Sequence, residues 1–259
     1  MDKYLSIFHL SMRRSLRNYK GLIGLSLFLI TCLLIFANLW EIIAAKTGAV
    51  GLNASQMLWY IALNEWVLVS IPSVHDDIEE DLHSGRLAYQ LPRPISYIGS
   101  QFAQSLGALT ANLTVLGAVS VIFVYFQVGG LPFDFLGLIL SMGFGFISGI
   151  LGIIYLMLIG LSSFWLQDVS PFYWIWEKLL FMFGGLILPL AIYPKWMQTL
   201  SQYTPFPAIL GQRSALAFDF SPLHVVDLIS SLCLWIALGL CGLFILYRKS
   251  LSILTIEGG

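Results

Sequence analysis

Charged side chains are scarce in this sequence. They make up 10% of the 259 residues, whereas hydrophobic residues make up 58%, and the mean hydropathy is +0.84. Soluble domains carry about 25% charged residues, so a soluble globular protein is excluded. The formal net charge of −1 also lacks the basic excess of a surface that binds nucleic acid. The long apolar runs indicate a chain that folds in a lipid bilayer.

The motifs of catalysis and of metal or nucleotide binding are also missing. The sequence has no G-x-x-x-x-G-K-[ST], no G-x-S-x-G and no H-E-x-x-H. Its acids at 76–81 lack the spacing of an EF-hand, so we expect no metal site. The three cysteines lie in apolar runs without CxxC or Cys/His spacing, which argues against disulfides and zinc, at Cys32, Cys233 and Cys241. We therefore expect no catalytic site and no cofactor on this chain.

Six apolar stretches are long enough to cross the hydrocarbon core, which requires about 20 helical residues. The predicted fold is an all-α polytopic membrane protein, with six transmembrane helices at residues 21–44, 55–74, 97–126, 135–165, 172–193 and 223–247. The fourth stretch is longer than the bilayer requires, so it must tilt or project into water. Residues 194–222 are expected to form an extracellular connection.

The N-terminal residues 2–20 place apolar side chains at helical spacing among basic ones. This pattern favours an amphipathic helix at the membrane surface, with its basic face toward anionic head groups. The alternative is a simple cytosolic tail whose charges set the topology.

Basic residues orient the predicted spans. With the N-terminus inside, ten lie on the inner side and three on the outer side: Lys3, Arg13, Arg14, Arg17, Lys20, Arg86, Arg93, Lys178, Arg248 and Lys249 against Lys46, Lys195 and Arg213. The positive-inside rule therefore predicts that both termini and the segment 75–94 are cytoplasmic.

Three polar residues in the first two spans are candidates for lining a pathway. Glu65 lies at the centre of the second span, where an acid costs about 2.5–3.5 kcal/mol on insertion scales. It could contact a substrate, carry a proton or act in gating; alternatively, it is a packing residue beside Asn64. Asn38 of the first span is the third candidate.

The fourth span carries a small residue at every fourth position, at Ser141, Gly145 and Gly149. Such a stripe allows helix backbones to approach closely. Packing within the chain and packing at a subunit interface are both open.

The segment 75–94 is the long polar interruption in the first half of the chain. Five acids open it, at Asp76, Asp77, Glu79, Glu80 and Asp81. Gly85 permits a turn, and Pro92 and Pro94 restrict the backbone before the third span. The acids form either a docking face for a basic protein groove or a solvated surface, and we favour docking.

The same segment resembles the ABC type-2 exporter permeases of the compact six-span family. Members have the form D-I-x-x-G-R-L-x-x-x-L-x-R-P, and the stretch Asp81 to Pro94 matches it at Gly85-Arg86-Leu87 and again from Leu91. Leu82 stands where Ile is more usual, and Pro92 is an additional stiffening residue. Further resemblance lies at Leu188-Pro189-Leu190, Tyr193-Pro194-Lys195-Trp196, Thr204-Pro205-Phe206 and the ending from Tyr247 to Gly259.

The resemblance implies a half-transporter that pairs with a second permease copy, or a related permease, and with two separate ATPase subunits that bind ATP and Mg. Residues 2–20 would be the connecting helix, and residues 194–222 would form short helices that dip into the outer leaflet. Residues 75–94 would be the coupling helix, and its docking candidates are Asp77, Glu80, Asp81, Ser84, Gly85, Arg86, Leu87, Leu91, Arg93 and Pro94.

We therefore expect the permease subunit of an ABC exporter, in a bacterial plasma membrane and in contact with its lipids. Export, rather than import, is implied by the resemblance alone. An amphipathic or lipid-like substrate is expected because the spans are rich in Phe and Trp and poor in charge. The alternatives are a proton-coupled secondary transporter that uses Glu65, a membrane-embedded enzyme and a scaffold without transport.

Overall fold

The protein is a bundle of helices. The computed structural model describes residues 2–47, 53–90, 94–130 and 135–257. Within these ranges the regular elements are helices, with no strand. They are α1 (Asp2–Arg17), α2 (Tyr19–Thr47), α3 (Ala54–Ser70), α4 (Val74–His83), α5 (Arg86–Gln90), α6 (Tyr97–Val128), α7 (Phe135–Leu161), α8 (Ser170–Phe183), α9 (Lys195–Gln202), α10 (Phe206–Ile209), α11 (Gly211–Ala215) and α12 (Pro222–Glu257). Short 3₁₀ helices lie at Ser162–Phe164 and Leu190–Ile192.

Five helical segments of the described chain are long and apolar enough to cross a membrane. They are Tyr19–Ile42, Ala54–His83, Tyr97–Val128, Phe135–Phe164 and Pro222–Ser252. Their length and composition confirm the coarse expectation of an all-α protein that could span a membrane several times.

The segment Ala54–His83 forms the centre of the bundle. In its most apolar stretch 72% is buried, against 11% for Tyr19–Ile42 and 22% for Pro222–Ser252. The two outer helices α2 and α12 expose large apolar side chains, among them Phe28, Ile35, Leu234 and Phe244. Apolar side chains on an outer face are suited to contact with lipid.

Pro72 divides the central segment into α3 and α4. Ile71 has extended backbone angles, as the residue before a proline prefers, and α3 therefore ends at Ser70. Helix α4 then packs against α7, and its side chains Val74 and Ile78 are buried there. We call the region of α4, α5 and the C-terminal part of α7 the α4 end of the bundle.

The predicted fifth span, 172–193, is not one continuous helix. Helix α8 has 14 residues, about 21 Å, and ends before Gly184. Gly185 then adopts φ +72°, a left-handed conformation that favours glycine, and the chain leaves the helical path. The apolar composition of residues 172–193 indicated a membrane environment but could not reveal this break.

The predicted extracellular connection, 194–222, is packed into the protein over part of its length. It contains α9, α10 and α11, and much of the stretch from Phe206 to Ala217 is buried against α3, α7 and α8. This stretch of the connection therefore belongs to the core, whereas α9 keeps exposed side chains such as Trp196.

Helix α1 lies along α6. The Ser11 hydroxyl donates a hydrogen bond to the Gln104 carbonyl at 2.6 Å, and the Ser96 amide donates to the Tyr4 hydroxyl at 3.1 Å. Apolar side chains of α1 remain exposed, with Leu10 at 71%. The helix thus has one face fixed to the bundle and an apolar surface free for lipid.

Candidate functional site

The first candidate site is the turn between α4 and α5. Ser84 ends α4, and its hydroxyl donates to the Glu80 carbonyl at 2.6 Å. Gly85 has φ +71°, which reverses the chain at little cost only for glycine. Arg86 then donates from Nε to the Ser84 hydroxyl at 3.1 Å and approaches the Glu80 carboxylate at 2.8 Å. The turn is therefore a fixed structure and not a loose loop.

Asp81 holds this turn from inside. Its side chain is buried, and one carboxylate oxygen accepts from Gln101 at 2.7 Å, from the Tyr97 hydroxyl at 3.1 Å and from Gln90 at 3.3 Å. The other oxygen lies 3.2 Å from Nε of Arg86. A buried carboxylate requires such partners, and these partners tie α4 to α5 and to the start of α6.

The docking candidates from the sequence divide into two groups. Asp81 and Leu87 face the interior, with Leu87 only 3% exposed, so they support the turn and do not present a surface. The exposed candidates are Asp77, Glu80, Ser84, Gly85, Arg86 and Pro94. Leu91 and Arg93 lie outside the described residues.

Tyr89 was missed by sequence reasoning. At 79% exposure it is the most prominent aromatic side chain of the turn. An aromatic residue in a polar, charged segment was the available signal, because exposed tyrosines are enriched at protein interfaces.

The second candidate site is a polar cluster between α3 and the irregular chain after α8. Asn64 is fully buried and donates to the carbonyls of Gly185 and Leu186 at 3.1 and 3.2 Å. Its own oxygen accepts from the Ser214 hydroxyl at 2.6 Å. Tyr60, one turn away, donates to the same Gly185 carbonyl at 2.5 Å.

Arg213 of α11 lies in the same region and is fully buried. Its Nη2 donates to the Leu63 carbonyl at 2.6 Å, and Nη1 donates to the Ser141 carbonyl at 3.3 Å. The guanidinium also lies 6.0 Å from the ring centroid of Trp66. No acid of the described residues pairs with it, so its charge is balanced by carbonyl dipoles and an aromatic face.

The side chains of this cluster donate hydrogen bonds to the carbonyls of the non-helical backbone that follows α8 and lies among apolar helices. Irregular backbone at membrane depth is tolerated only where protein groups take up its hydrogen bonds. The carbonyl of Gly184 is also used, because it accepts from the Gly211 amide at 2.8 Å. Arg213, one of the three basic residues expected in outer loops, instead lies buried in the short helix α11. The available signal was its position in the apolar, small-residue stretch of residues 205–217.

The three pathway candidates do not converge. Asn38 is exposed on α2 and donates to its own helix, to the Leu34 carbonyl at 2.7 Å. Asn64 belongs to the polar cluster, whereas the adjacent Glu65 is buried, with only 4% of it exposed. Among the described residues the Glu65 carboxylate makes no ion pair.

The small-residue stripe of α7 packs inside the chain. Ser141 is fully buried beside Arg213. A Cβ atom on Gly145 would lie 3.1–3.2 Å from Val67 and Trp66 of α3, and one on Gly149 would lie 2.8 Å from Leu109 of α6. The stripe therefore allows α3 and α6 to approach α7 closely.

Comparison with known proteins adds no relative: no family model matches the chain, and neither does any curated protein.

Proposed function

We propose that this chain is the transmembrane permease subunit of an ATP-driven ABC exporter. It forms half of a translocation pathway, pairs with a second permease, and couples to two separate ATPase subunits through the segment 75–94. The coupling surface comprises the exposed side chains around the turn, namely Glu80, Ser84, Arg86 and Tyr89. The resemblance of residues 81–94 to the six-span exporter permeases supports this proposal. In it, residues 172–193 form the remaining span, which crosses the membrane as an interrupted helix.

The observation that carries the proposal is the path from the turn to the polar cluster. The most buried helical segment, α3 with α4, ends in the exposed, charged turn. Helix α4 is held on two sides, because Ile78 packs near Gly160 of α7 and the Glu79 carboxylate accepts from the Val169 amide at 3.2 Å. A displacement of the turn would therefore reach α3, α7 and α8 through packed groups, as two-state coupling requires.

The test is recovery of an ATPase from the native membrane in mild detergent at low salt. Wild-type protein should retain a P-loop ATPase, and Tyr89→Asp should lose it because a carboxylate replaces an exposed aromatic contact. Tyr203→Asp is the matched control, since Tyr203 is equally exposed, at 76% against 79%, on α9's C-terminal side. Leu87 and Asp81 are unsuitable targets because their substitution would disrupt the turn itself.

Two outcomes would contradict the proposal. One is that no ATPase accompanies the wild-type protein; the other is that Tyr89→Asp retains the ATPase as well as Tyr203→Asp does. Size-exclusion profiles of both variants would show that folding is preserved.

A second candidate function is supported by Glu65. A buried carboxyl group without an ion-pair partner among the described residues is the arrangement expected of a proton-binding site in a secondary transporter. That mechanism predicts transport without an ATPase, abolished by Glu65→Gln and insensitive to Tyr89→Asp. The ABC mechanism predicts the opposite sensitivity.

A further inference from the structure

Two adjoining cavities, both open to the surface, lie between α1, α2 and α6 at the α4 end of the bundle. One has a volume of about 680 Å³ and is lined by side chains of α1, α4, α5 and α6. The other has a volume of about 520 Å³ and continues along the start of α2. They share the lining residues Ser15, Asn18, Pro72 and Ala108. Each is within the size range of ligand-binding pockets.

The two cavities differ in chemistry. The larger one is lined by hydrogen-bonding side chains, including Ser11, Gln90 and Gln104, and by two charged residues. The smaller one is lined beyond Asn18 mainly by Gly21, Leu22, Gly24 and Leu25. Their junction lies where the chain changes from the basic amphipathic α1 to the apolar α2. A polar chamber that leads into an apolar channel at this boundary suits an amphiphile.

The larger cavity, the polar chamber, is lined by two charged side chains, those of Arg14 and Asp77. Both side chains are exposed within the open cavity and lie beyond ion-pair distance of each other, and neither side chain has a hydrogen bond or ion pair within the described residues. Asp76, Glu80 and Asp81 add negative charge near Asp77, and Arg86 offsets part of it through its ion pairs with Glu80 and Asp81. The environment beside Asp77 therefore remains negative and favours a cation. A ligand with one anionic and one cationic group would match both charges, whereas a purely anionic ligand would meet repulsion at Asp77.

We propose that the two cavities form a binding site for one aminophospholipid. Its phosphate lies at Arg14, its primary ammonium group at Asp77, and one acyl chain runs along Gly21 to Leu25. Guanidinium groups bind phosphate through charge-assisted hydrogen bonds, and pockets with basic residues between membrane helices bind lipid head groups. The lipid is a resident of the fold and not transported cargo, so this inference goes beyond the proposed function. It would fill the space between α1 and α2.

The test is lipid retention by the full-length, delipidated protein, measured by native mass spectrometry. Dioleoyl phosphatidylethanolamine, phosphatidylcholine and phosphatidylglycerol are added separately at equal concentration. Phosphatidylethanolamine should bind with one molecule per chain and about tenfold more tightly than the other two, because a hydrogen bond to a charged group is lost in each. The methylated ammonium of phosphatidylcholine cannot donate to Asp77, and phosphatidylglycerol has no cation.

Variants locate the site. Arg14→Gln and Asp77→Asn should each weaken phosphatidylethanolamine binding about tenfold, and Asp77→Asn should also remove the preference over phosphatidylcholine. Arg13→Gln and Asp227→Asn are the controls, because neither residue lines the cavities and Asp227 is not among the acids that act on Asp77. Gly24→Phe should displace the acyl chain without disturbing the fold, since no atom lies within 4 Å of a Cβ at Gly24.

The proposal is overturned if phosphatidylcholine or phosphatidylglycerol binds as tightly as phosphatidylethanolamine. It is equally overturned if the control variants lose as much binding as Arg14→Gln and Asp77→Asn, or if Gly24→Phe has no effect. Lipid retention is measured on the isolated chain, and ATPase recovery is measured from the native membrane. A negative result in one experiment therefore does not decide the outcome of the other.

Discussion

Arg213 and Leu63 are joined across 150 residues by a hydrogen bond of 2.6 Å from Nη2 to the main-chain carbonyl. The bond links α11, a helix of five residues, to the middle of the most buried helix. It places a cation in an apolar interior with carbonyls as its acceptors. Together with the hydrogen bonds of Ser214 and of the Gly211 amide, this bond fixes the position of α11.

Arg213→Ala should lower the free energy of unfolding by about 3 kcal/mol, because charge-assisted hydrogen bonds are lost and a cavity remains. The measurement is loss of helical circular dichroism in mixed micelles as SDS is added. Lys195→Ala is the control, since Lys195 is exposed, and it should change stability by less than about 0.5 kcal/mol. Equal effects of the two substitutions would show that the bonds of Arg213 contribute no stability.

Asn64 and Ser214 should be energetically coupled. The hydrogen bond of 2.6 Å between them is buried, so a double-mutant cycle of Asn64→Leu and Ser214→Ala should give an interaction energy of about 1 kcal/mol. A cycle of Asn64→Leu with Ser230→Ala provides the uncoupled comparison, because Ser230 bonds within α12, to the Asp227 carbonyl. Additive effects in the first cycle would contradict the cluster as described.

Asp81 and Glu80 should respond differently to neutralisation, although both face Arg86. Asp81→Ala should destabilise the protein by about 2–3 kcal/mol, because it leaves buried donors of Tyr97 and Gln101 unpaired. Glu80→Ala should cost under about 1 kcal/mol, since its ion pair is exposed. Chemical unfolding of both variants makes the comparison, and a larger effect at Glu80 would be inconsistent with the burial of Asp81.

Gly85 and Gly24 should give opposite results when replaced by alanine. Gly85→Ala forces a Cβ atom into a left-handed conformation with φ +71° and should cost about 1 kcal/mol. Gly24→Ala lies within a helix with open space around its Cβ and should gain about 0.5–1 kcal/mol. Thermal unfolding of the two variants tests the signs. An unchanged or raised melting temperature of Gly85→Ala would argue against the turn geometry, and destabilisation by Gly24→Ala would argue against the open space beside Gly24.

Asp168 gives the start of α8 a dependence on pH. Hydrogen bonds from the Ser170 hydroxyl and from its amide, the latter at 2.9 Å, hold the pKa of Asp168 below its usual value. Because the pKa of Asp168 is lower in the folded than in the unfolded state, its carboxylate form stabilises the fold at pH values above the unfolded-state pKa. This stabilisation is lost as the pH falls through the folded-state pKa. Hydrogen exchange at Ser170 should therefore lose protection in acid, and Asp168→Ala should lose it at all pH values. Unchanged protection in the variant would refute this role.

The sequence by itself determined the membrane-compatible character of the chain and the helical class. Long apolar runs are a local property, and five of the six predicted spans coincide with helices that could cross a membrane. Single residues set several helix ends, such as Pro72 after α3 and Gly129, in the left-handed conformation, after α6. Local backbone sterics are sufficient for these features, so sequence reasoning reached them.

Only the tertiary structure decided which polar residues face inward. The burial of Asp81, Leu87 and Arg213, and the break after α8, depend on partners distant in the chain. Arg213 bonds to Leu63, and the Gly185 carbonyl accepts from Tyr60 and Asn64. Composition cannot distinguish a charge in water from a charge satisfied by carbonyls of another helix. The physical reason is that desolvation is compensated by contacts, and the chain forms those contacts only when it folds.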